Sequence, residues 1–249
     1  MNPNNDIALL DLGVALDAQG RFAEALEVYQ QAENMGSRRY QVHNNFGNVL
    51  GLLGRHDESL AHYRKAIELA PQSATLHSAA GSQLAALGRF AEALLEFSEA
   101  EKLDPNDAKT RMEAGKTLFK MGRDAEGLDE FHTALQIEPG NYQTLATVAH
   151  YLAANENTAA RDGSNALGLA LKANELSGHV QPMVFDILGM AFAEKGDLTN
   201  AVACAQNALA LANAAQMKNI APLQLRLELY KNKQPWRESF SATNAPGKS

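Results

Sequence analysis

The sequence is poor in cysteine and in aromatic residues. Cys204 is the only cysteine, so an intramolecular disulfide is impossible and the redox compartment is left open. Aromatic residues make up only 6% of the chain, whereas hydrophobic residues as a whole make up 45%. The apolar surface is therefore mostly alanine and leucine, which suits helices that pack through small side chains.

Long apolar runs and basic runs are also missing. No stretch approaches the ~18 uninterrupted apolar residues of a membrane-spanning helix, so we expect no direct membrane insertion. The N-terminus, MNPNNDIALL, has no basic region followed by an apolar one, and so it does not read as a secretion signal. We therefore expect either a cytoplasmic protein or a part cut from a longer one. The net charge of −7 argues against nucleic acid as a partner, because nucleic-acid binding needs a basic surface.

Short catalytic motifs are absent as well. The sequence has no GxSxG, no HExxH, no CxxC and no glycine loop of the kind that cradles phosphates. A catalytic site should combine a nucleophile, a base and an orienting group, or paired carboxylates in a cleft. We therefore predict no enzymatic activity, no catalytic residues and no cofactor.

Glycine, alanine and proline recur at a fixed period of 34 residues. The recurring positions are a glycine at Gly13, Gly47, Gly81 and Gly115, a turn glycine at Gly20, Gly54, Gly88 and Gly122, a small residue at Ala32, Ala66, Ala100 and Ala134, and a stop at Pro71, Pro105 and Pro139. A helix–turn–helix unit with this period is typical of the tetratricopeptide repeat (TPR). The sequence resembles that family along nearly its whole length.

The resemblance implies an all-α fold, a right-handed superhelical solenoid of about six TPR helix pairs with a C-terminal capping helix. We place the solenoid at residues 1–238 and the capping helix at 218–233, and we expect residues 239–249 to be disordered. The repeats are predicted at about 6–39, 40–73, 74–107, 108–141, 142–181 and 182–215. The fifth repeat is longer than the period, so we place its extra residues mainly in a mobile loop near residues 155–164.

The last third of the chain has a more specific resemblance. A long turn with RDGSNALGLALKANEL, one regular repeat and a final helix closing in LYKNKQPWRE follow one another over residues 142–238. This order is similar to the C-terminal TPR module of larger bacterial TPR proteins. In several of those proteins the module follows a membrane or glycosyltransferase-like part.

The family resemblance also implies a binding groove. The first helix of each TPR pair lines a concave surface, and its second, fifth, ninth and twelfth residues face that surface. Carried onto the second to fourth repeats, these positions hold amides, small hydroxyls, lysines and two large apolar residues. The candidate peptide-binding residues are Asn44, Asn48, Ser78, Ser82, Lys109, Met112, Lys116 and Phe119. Amides can satisfy the backbone of an extended peptide, and lysines can meet a carboxylate.

Two histidines, His43 and His77, occupy equivalent places in neighbouring repeats. They could form a stacked pair of metal ligands, or each could fill a packing slot for a large side chain. Zinc needs three or four protein ligands, and a third ligand is not evident, since His62 and the other histidines follow no ligand spacing. We therefore predict no metal site.

The function that these patterns favour is protein–protein interaction. We expect a non-enzymatic scaffold that binds an extended peptide or a helix of a protein partner in its groove, with the chain itself a monomer or a weak homo-oligomer. Two alternatives stay open. One is a recognition or targeting module of a larger bacterial membrane protein or glycosyltransferase-like enzyme, and the other is a self-assembly module.

Overall fold

The computed structural model describes residues 3–242. Within that range it contains thirteen α-helices, one short 3₁₀ turn at Thr158–Ala160 and one isolated β-bridge, which confirms the predicted all-α helical-repeat solenoid. The helices are α1 Pro3–Ala18, α2 Phe22–Asn34, α3 Tyr40–Leu52, α4 His56–Leu69, α5 Ala74–Ala86, α6 Phe90–Leu103, α7 Ala108–Lys120, α8 Asp124–Ile137, α9 Tyr142–Ala154, α10 Gly163–Leu176, α11 Pro182–Glu194, α12 Leu198–Ala214 and α13 Ala221–Lys231.

The helices form six consecutive pairs, α1–α2 to α11–α12, and α13 follows the last pair. We call the odd-numbered member of each pair helix A and the even-numbered member helix B. The chain divides into two compact units, Met1–Thr117 (unit 1) and Leu118–Ser249 (unit 2). Residues 243–249 of the predicted disordered tail lie outside the described residues.

In unit 1, the recurring glycine of helix A lies where an aromatic ring of helix B packs against it. A Cβ atom added to Gly81 would lie 2.7 Å from the ring of Phe97, which is too close for any side chain. Phe97 is fully buried, as are Tyr29 against Gly13 and Tyr63 against Gly47. The 34-residue glycine period thus follows from the close approach of two helices.

The second recurring glycine ends helix A. Gly88 has a φ of +75°, in the left-handed region that a side chain disfavours. The backbone N–H of Arg89 then donates to the carbonyl of Leu84 at 2.9 Å, which closes the end of α5. Arg89 also holds Glu92 of α6 through two hydrogen bonds of 2.8 and 2.5 Å. The same arginine–glutamate pair opens α2, α4 and α8.

In unit 2, the extra residues of the fifth repeat form a packed link between α9 and α10. Asn155 is buried, and Arg161 donates from one terminal nitrogen to the carbonyls of Asn155 and Glu156 at 2.9 and 3.1 Å. Arg161 also contacts Glu194 of α11 at 3.1 Å. The sequence predicted a mobile loop here. The prediction assumed few packing partners, whereas Arg161 ties the link to its own backbone and to the sixth pair.

The predicted end of the folded region at residue 238 is too early. The capping helix α13 lies inside the predicted range and buries Leu223 and Tyr230. Beyond it, Phe240 is only 5% exposed and its ring stacks on Tyr151 at a centroid distance of 4.0 Å. Ser239 also donates to a carboxylate oxygen of Glu156 at 2.6 Å. The small and polar residues around Phe240 led to the prediction of disorder, because the sequence does not show that this one ring reaches the core.

The recurring alanine of helix B is buried in every pair where the period places it. Ala66 is 0% exposed and Ala100 is 1% exposed, which confirms that the sequence places them in the core. Ala91 lies on the same helix as Ala100 but is exposed to solvent. The two alanines therefore differ in packing while sharing one helix.

We predict that Ala100→Leu destabilises the protein by about 1–3 kcal/mol, because three extra carbons must enter a filled space. Ala91→Leu adds the same atoms to a solvent-exposed position of α6 and should change the unfolding free energy by less than about 0.5 kcal/mol. Urea unfolding followed by circular dichroism measures both. Equal stability of the two variants would contradict the packing described for α6.

Candidate peptide-binding face

In unit 1, the first helices of neighbouring pairs lie beside one another and form a surface that we call the A-helix face. The amide of Gln83 in α5 reaches α3, where it would lie 3.0 Å from a Cβ atom added to Gly51. Thr110 of α7 donates from its hydroxyl to the hydroxyl of Ser78 in α5 at 2.7 Å. These contacts place α3, α5 and α7 in order along one face of unit 1.

The two asparagines of α3 lie one helical turn apart on this face. Asn48 is exposed, and its amide oxygen accepts a hydrogen bond of 2.6 Å from the Tyr63 hydroxyl. Asn44 is half-buried and donates to the amide oxygen of Asn45 at 3.0 Å. A side-chain amide offers two donor positions and two acceptor positions, and each of these contacts uses one. Both amides keep capacity for the backbone of a bound peptide.

The two serines of α5 have mainly structural contacts. Ser78 is buried and receives the hydrogen bond from Thr110 that joins α5 to α7. Ser82 is half-buried and donates to the backbone carbonyl of Ser78 at 3.0 Å. Because both side chains are small, they do not protrude from the A-helix face between the amides of α3 and the lysines of α7.

The two lysines of α7 differ in their surroundings. Lys109 is exposed near the start of the helix, and Lys116 is half-buried two turns later. The ammonium of Lys116 contacts the carboxylate of Glu113 on its own helix at 2.8 Å. An incoming carboxylate must therefore compete with Glu113 at Lys116, which makes Lys109 the more accessible cation.

The structure places the two apolar candidates, Met112 and Phe119, in the interior. Met112 is 6% exposed in unit 1, and Phe119 is fully buried in unit 2. The ring of Phe119 lies 4.5 Å from Tyr151 and 5.3 Å from Phe131, between centroids. The predicted apolar pocket is therefore wrong, because the twelfth position of α7 packs into the aromatic core of unit 2 rather than facing a ligand.

In unit 2, the surface of helix A is covered by the chain itself. We call residues 234–242 the C-terminal segment. Glu238 forms a parallel β-bridge with Asn155, its N–H donates to the carbonyl of Ala154 at 2.8 Å, and its carbonyl accepts from the N–H of Glu156 at 3.0 Å. The groove positions of α9 and α11 in unit 2 include fully buried alanines and a buried methionine, namely Ala146, Ala153 and Met190. The C-terminal segment thus pairs its backbone with the end of α9 and the link after it, and it places side chains on His150 and Tyr151 of helix A.

The carboxylate of Glu238 anchors this segment to α9. One oxygen lies 2.9 Å from the Nε2 atom of His150 and 3.4 Å from the indole nitrogen of Trp236. The hydrogen bond with His150 lowers the pKa of Glu238 below its ordinary value, although burial opposes this effect. The ionised form of Glu238 is therefore the form that holds the segment in place.

A buried ion pair connects the sixth pair, the capping helix and the C-terminal segment. Arg226 of α13 holds both carboxylate oxygens of Asp186 in α11, at 2.7 and 2.5 Å, and both side chains are almost fully buried. Burial raises the pKa of Asp186, and the contact with Arg226 opposes that rise. The guanidinium of Arg226 also lies 5.3 Å from the ring centroid of Trp236, within reach of a cation–π interaction. The segment is therefore docked on a polar network as well as through Phe240.

The two repeat-equivalent histidines each contact helix B of their own pair. The Nδ1 atom of His43 lies 3.4 Å from the Nδ1 atom of His62, whereas Nδ1 of His77 lies 2.7 Å from a carboxylate oxygen of Glu96. Sequence reasoning compared only equivalent positions and so missed His62. The sequence does contain a signal for this contact. His62 follows His43 by 19 residues, and Glu96 follows His77 by the same number, so each histidine of helix A faces an equivalent position of helix B.

A sequence profile described as Tetratricopeptide repeat matches residues 1–41, 10–74, 44–108 and 78–142, which together cover more than half of the chain. The chain therefore belongs to the tetratricopeptide repeat family. No curated protein matches the chain by sequence. The repeats are those of a protein-interaction scaffold in the general sense, because TPR proteins bind protein or peptide partners.

Solved structures with the same fold confirm the helical-repeat architecture. PilW, a widely conserved type IV pilus biogenesis factor, is 17% identical with a TM-score of 0.75, covering 91% of this chain and 100% of its own. The APC/C hetero-tetramer Cut9-Hcn1 is 17% identical with a TM-score of 0.73, covering 92% of this chain but only 44% of the matched one. YrrB, a TPR protein with an unusual peptide-binding site, is 18% identical with a TM-score of 0.51, covering 93% and 94%.

Over the described residues, no helix combines the length and the apolar character needed to cross a bilayer.

We predict that Glu238→Gln loosens the C-terminal segment, since it removes the charge that pairs with His150. The loss should be roughly 1 kcal/mol, because the carboxylate is partly exposed and screened by solvent. The fluorescence of Trp236, the only tryptophan, reports the change as a red shift. Because the folded pKa of Glu238 is lowered, the contact stabilises above the ordinary glutamate pKa of 4.5 and is lost as the pH falls through the lowered value.

Glu228→Gln is the matched control, since Glu228 lies exposed on α13 and contacts Lys231. It should leave the emission of Trp236 at neutral pH and its acid transition as in the wild type. An acid transition in Glu238→Gln identical to that of the wild type would contradict the role given to Glu238.

Proposed function

We propose that the chain is a scaffold whose A-helix face in unit 1 binds an extended, acidic segment of a partner protein. The observation that carries this proposal is the C-terminal segment in unit 2. There the C-terminal segment already lies against α9, held by backbone hydrogen bonds to Ala154 and Glu156 at the end of that helix and by the contact of Glu238 with His150. In unit 1 the turns between helix A and helix B are short, so a partner peptide there would be held by the side chains of the A helices.

The side chains of unit 1 suit such a ligand. Asn44 and Asn48 have free hydrogen-bonding positions for the N–H and C=O groups of an extended backbone. Lys109 supplies an exposed positive charge, and Lys116 can supply a second one when a carboxylate displaces Glu113. Charge-assisted hydrogen bonds to lysine are stronger than neutral ones, so an acidic residue in the peptide should dominate the affinity.

Burial of the two apolar candidates narrows the class of ligand. Met112 and Phe119 offer no open pocket for a large apolar side chain. An amphipathic helix needs such pockets for its anchor residues, whereas an extended peptide can bind through its backbone and charges. We therefore favour an extended peptide over a helix as the ligand of this face.

The comparisons support the class of function. YrrB carries a peptide-binding site on this fold, and the family is generally made of non-enzymatic scaffolds. These similarities support a protein or a peptide as the partner of this chain.

A second candidate function is self-assembly through α1. Three large apolar side chains of this helix are strongly exposed, namely Ile7 at 42%, Leu12 at 48% and Val14 at 45%. A repeat array with an exposed apolar end tends to associate unless that end is covered. Ile7 and Val14 lie two turns apart on one side of α1 and would form the contact between copies.

We predict that Lys109→Glu weakens the binding of acidic peptides by about 1–3 kcal/mol, because it replaces an attraction by a repulsion. The experiment screens a library of short random peptides against the full chain and titrates the selected peptides by calorimetry at two salt concentrations. Selected peptides should be acidic, and the loss in Lys109→Glu should shrink at higher salt, because salt screens exposed charges. Lys116→Glu should have a smaller effect, since Lys116 already contacts Glu113.

Lys102→Glu is the control, since Lys102 is similarly exposed but lies on the B helix α6. It changes the net charge by the same amount and should leave peptide affinity within about twofold. Equal losses in Lys109→Glu and Lys102→Glu would mean that only net charge matters. An unchanged affinity in both variants would move the site away from the A-helix face.

A further inference from the structure

Three potential metal ligands from three helices meet in unit 1. Glu33 comes from α2, His43 from α3 and His62 from α4, and one ligand atom of each lies within 4.8 Å of the others. His43 is buried, and the other two side chains are half-buried. We call this group the α2–α4 cluster.

The spacing of the ligand atoms suits a small tetrahedral ion. The two Nδ1 atoms lie 3.4 Å apart, and Nδ1 of His43 lies 3.9 Å from Oε1 of Glu33. Zinc bonds of about 2.0–2.1 Å place neighbouring ligand atoms of a tetrahedron about 3.3–3.4 Å apart. Because χ2 of histidine is a broad torsion, metal binding requires only modest ring rotations to direct the two nitrogen lone pairs at one ion.

We propose that the α2–α4 cluster binds one zinc ion through Nδ1 of His43, Nδ1 of His62 and the carboxylate of Glu33. Two imidazoles and a carboxylate form a donor set that suits zinc, and a water molecule completes the fourth position. The ion would join the first helix pair to the second, because Glu33 belongs to one and both histidines belong to the other.

The environment of the histidines supports this assignment. Burial lowers the pKa of His43, and it lowers the pKa of His62 to about 4, so burial favours the neutral form of both rings. Neutral imidazole is the form that binds a metal. The ring of His62 also stacks on Phe46 at a centroid distance of 3.9 Å, which limits the positions it can take.

The neighbouring repeat lacks this donor set although it keeps the first histidine. At the positions 34 residues further on stand Ile67, His77 and Glu96, in place of Glu33, His43 and His62. His77 lies 2.7 Å from Glu96 and forms an ordinary histidine–carboxylate pair. The packing slot that the two repeats share therefore explains His77, whereas Glu33 and His62 complete a ligand set around His43.

Lys65 is the group that opposes the ion. Its ammonium contacts Oε1 of Glu33 at 2.5 Å, and the other oxygen of Glu33 accepts from Gln30 at 3.0 Å. The side chain of Lys65 is half exposed, so it can swing into solvent when the ion takes its place. Removal of Lys65 should therefore strengthen metal binding, which a purely structural histidine pair would not do.

The test is a titration of the untagged full chain with zinc chloride in competition with a chromophoric chelator. The wild type should bind one equivalent. Loss of a supporting group around a zinc site weakens the site by about 10–100-fold, so His62→Gln and Glu33→Gln should each lose at least that factor. Lys65→Met should bind more tightly than the wild type, and His77→Gln, the matched control, should stay within about twofold.

Cobalt provides a second readout that depends on geometry. One equivalent of cobalt(II) should give the strong visible absorption of a tetrahedral site, and this absorption should be lost in His62→Gln. Circular dichroism checks that each variant is folded. If His62→Gln does not fold, the zinc affinities of Glu33→Gln and Lys65→Met test the proposal instead. Less than one equivalent of zinc in the wild type, or equal affinity in the wild type and the folded ligand variants, would overturn the proposal.

Discussion

The contact between a glycine of helix A and an aromatic ring of helix B is the constraint on which each early pair depends. At Gly81 the ring of Phe97 occupies the space that any side chain would need, so the two helices approach as closely as their backbones allow. A pair built in this way still exposes an apolar side, which only another pair can cover. The buried alanines Ala66 and Ala100 likewise allow close packing on helix B. Stacking therefore follows from the packing within a pair.

Unit 2 shows how the repeat architecture is completed by its own C-terminus. Tyr230 of α13 covers apolar surface of the last pair, and Phe240 fills the aromatic cluster formed by Tyr151 and Phe119. In addition to these two apolar anchors, Arg226 and Glu238 meet polar partners on helix A. Helix A thus serves as an inner surface in unit 2, whereas the corresponding helices of unit 1 keep exposed amides and lysines.

The histidine positions show how a periodic scaffold acquires local chemistry. His43 and His77 fill the same slot, yet their partners differ because His62 and Glu96 fill the slot opposite. A second difference, Glu33 against Ile67, places a carboxylate near His43 in addition to His62, whereas the carboxylate beside His77 is that of Glu96. Side chains that the period does not constrain are free to change without altering the pairs, and this is where a site can arise.

The sequence by itself determined the helix pairs, their order and the positions of the turns. The reason is local: a 34-residue period records which residues must be small, as at Gly81 and Ala100, and which must end a helix, as at Gly88. Only the tertiary structure decided where Phe119 and Phe240 lie. Phe119 packs in the core of unit 2, and Phe240 packs onto Tyr151. The tertiary structure also brought His62 to His43 across 19 residues and joined Glu238 to His150 across 88. The contacts of Phe240 and Glu238 join residues that share no period, since they depend on the path of the chain after the repeats, whereas the offset between His43 and His62 recurs between His77 and Glu96.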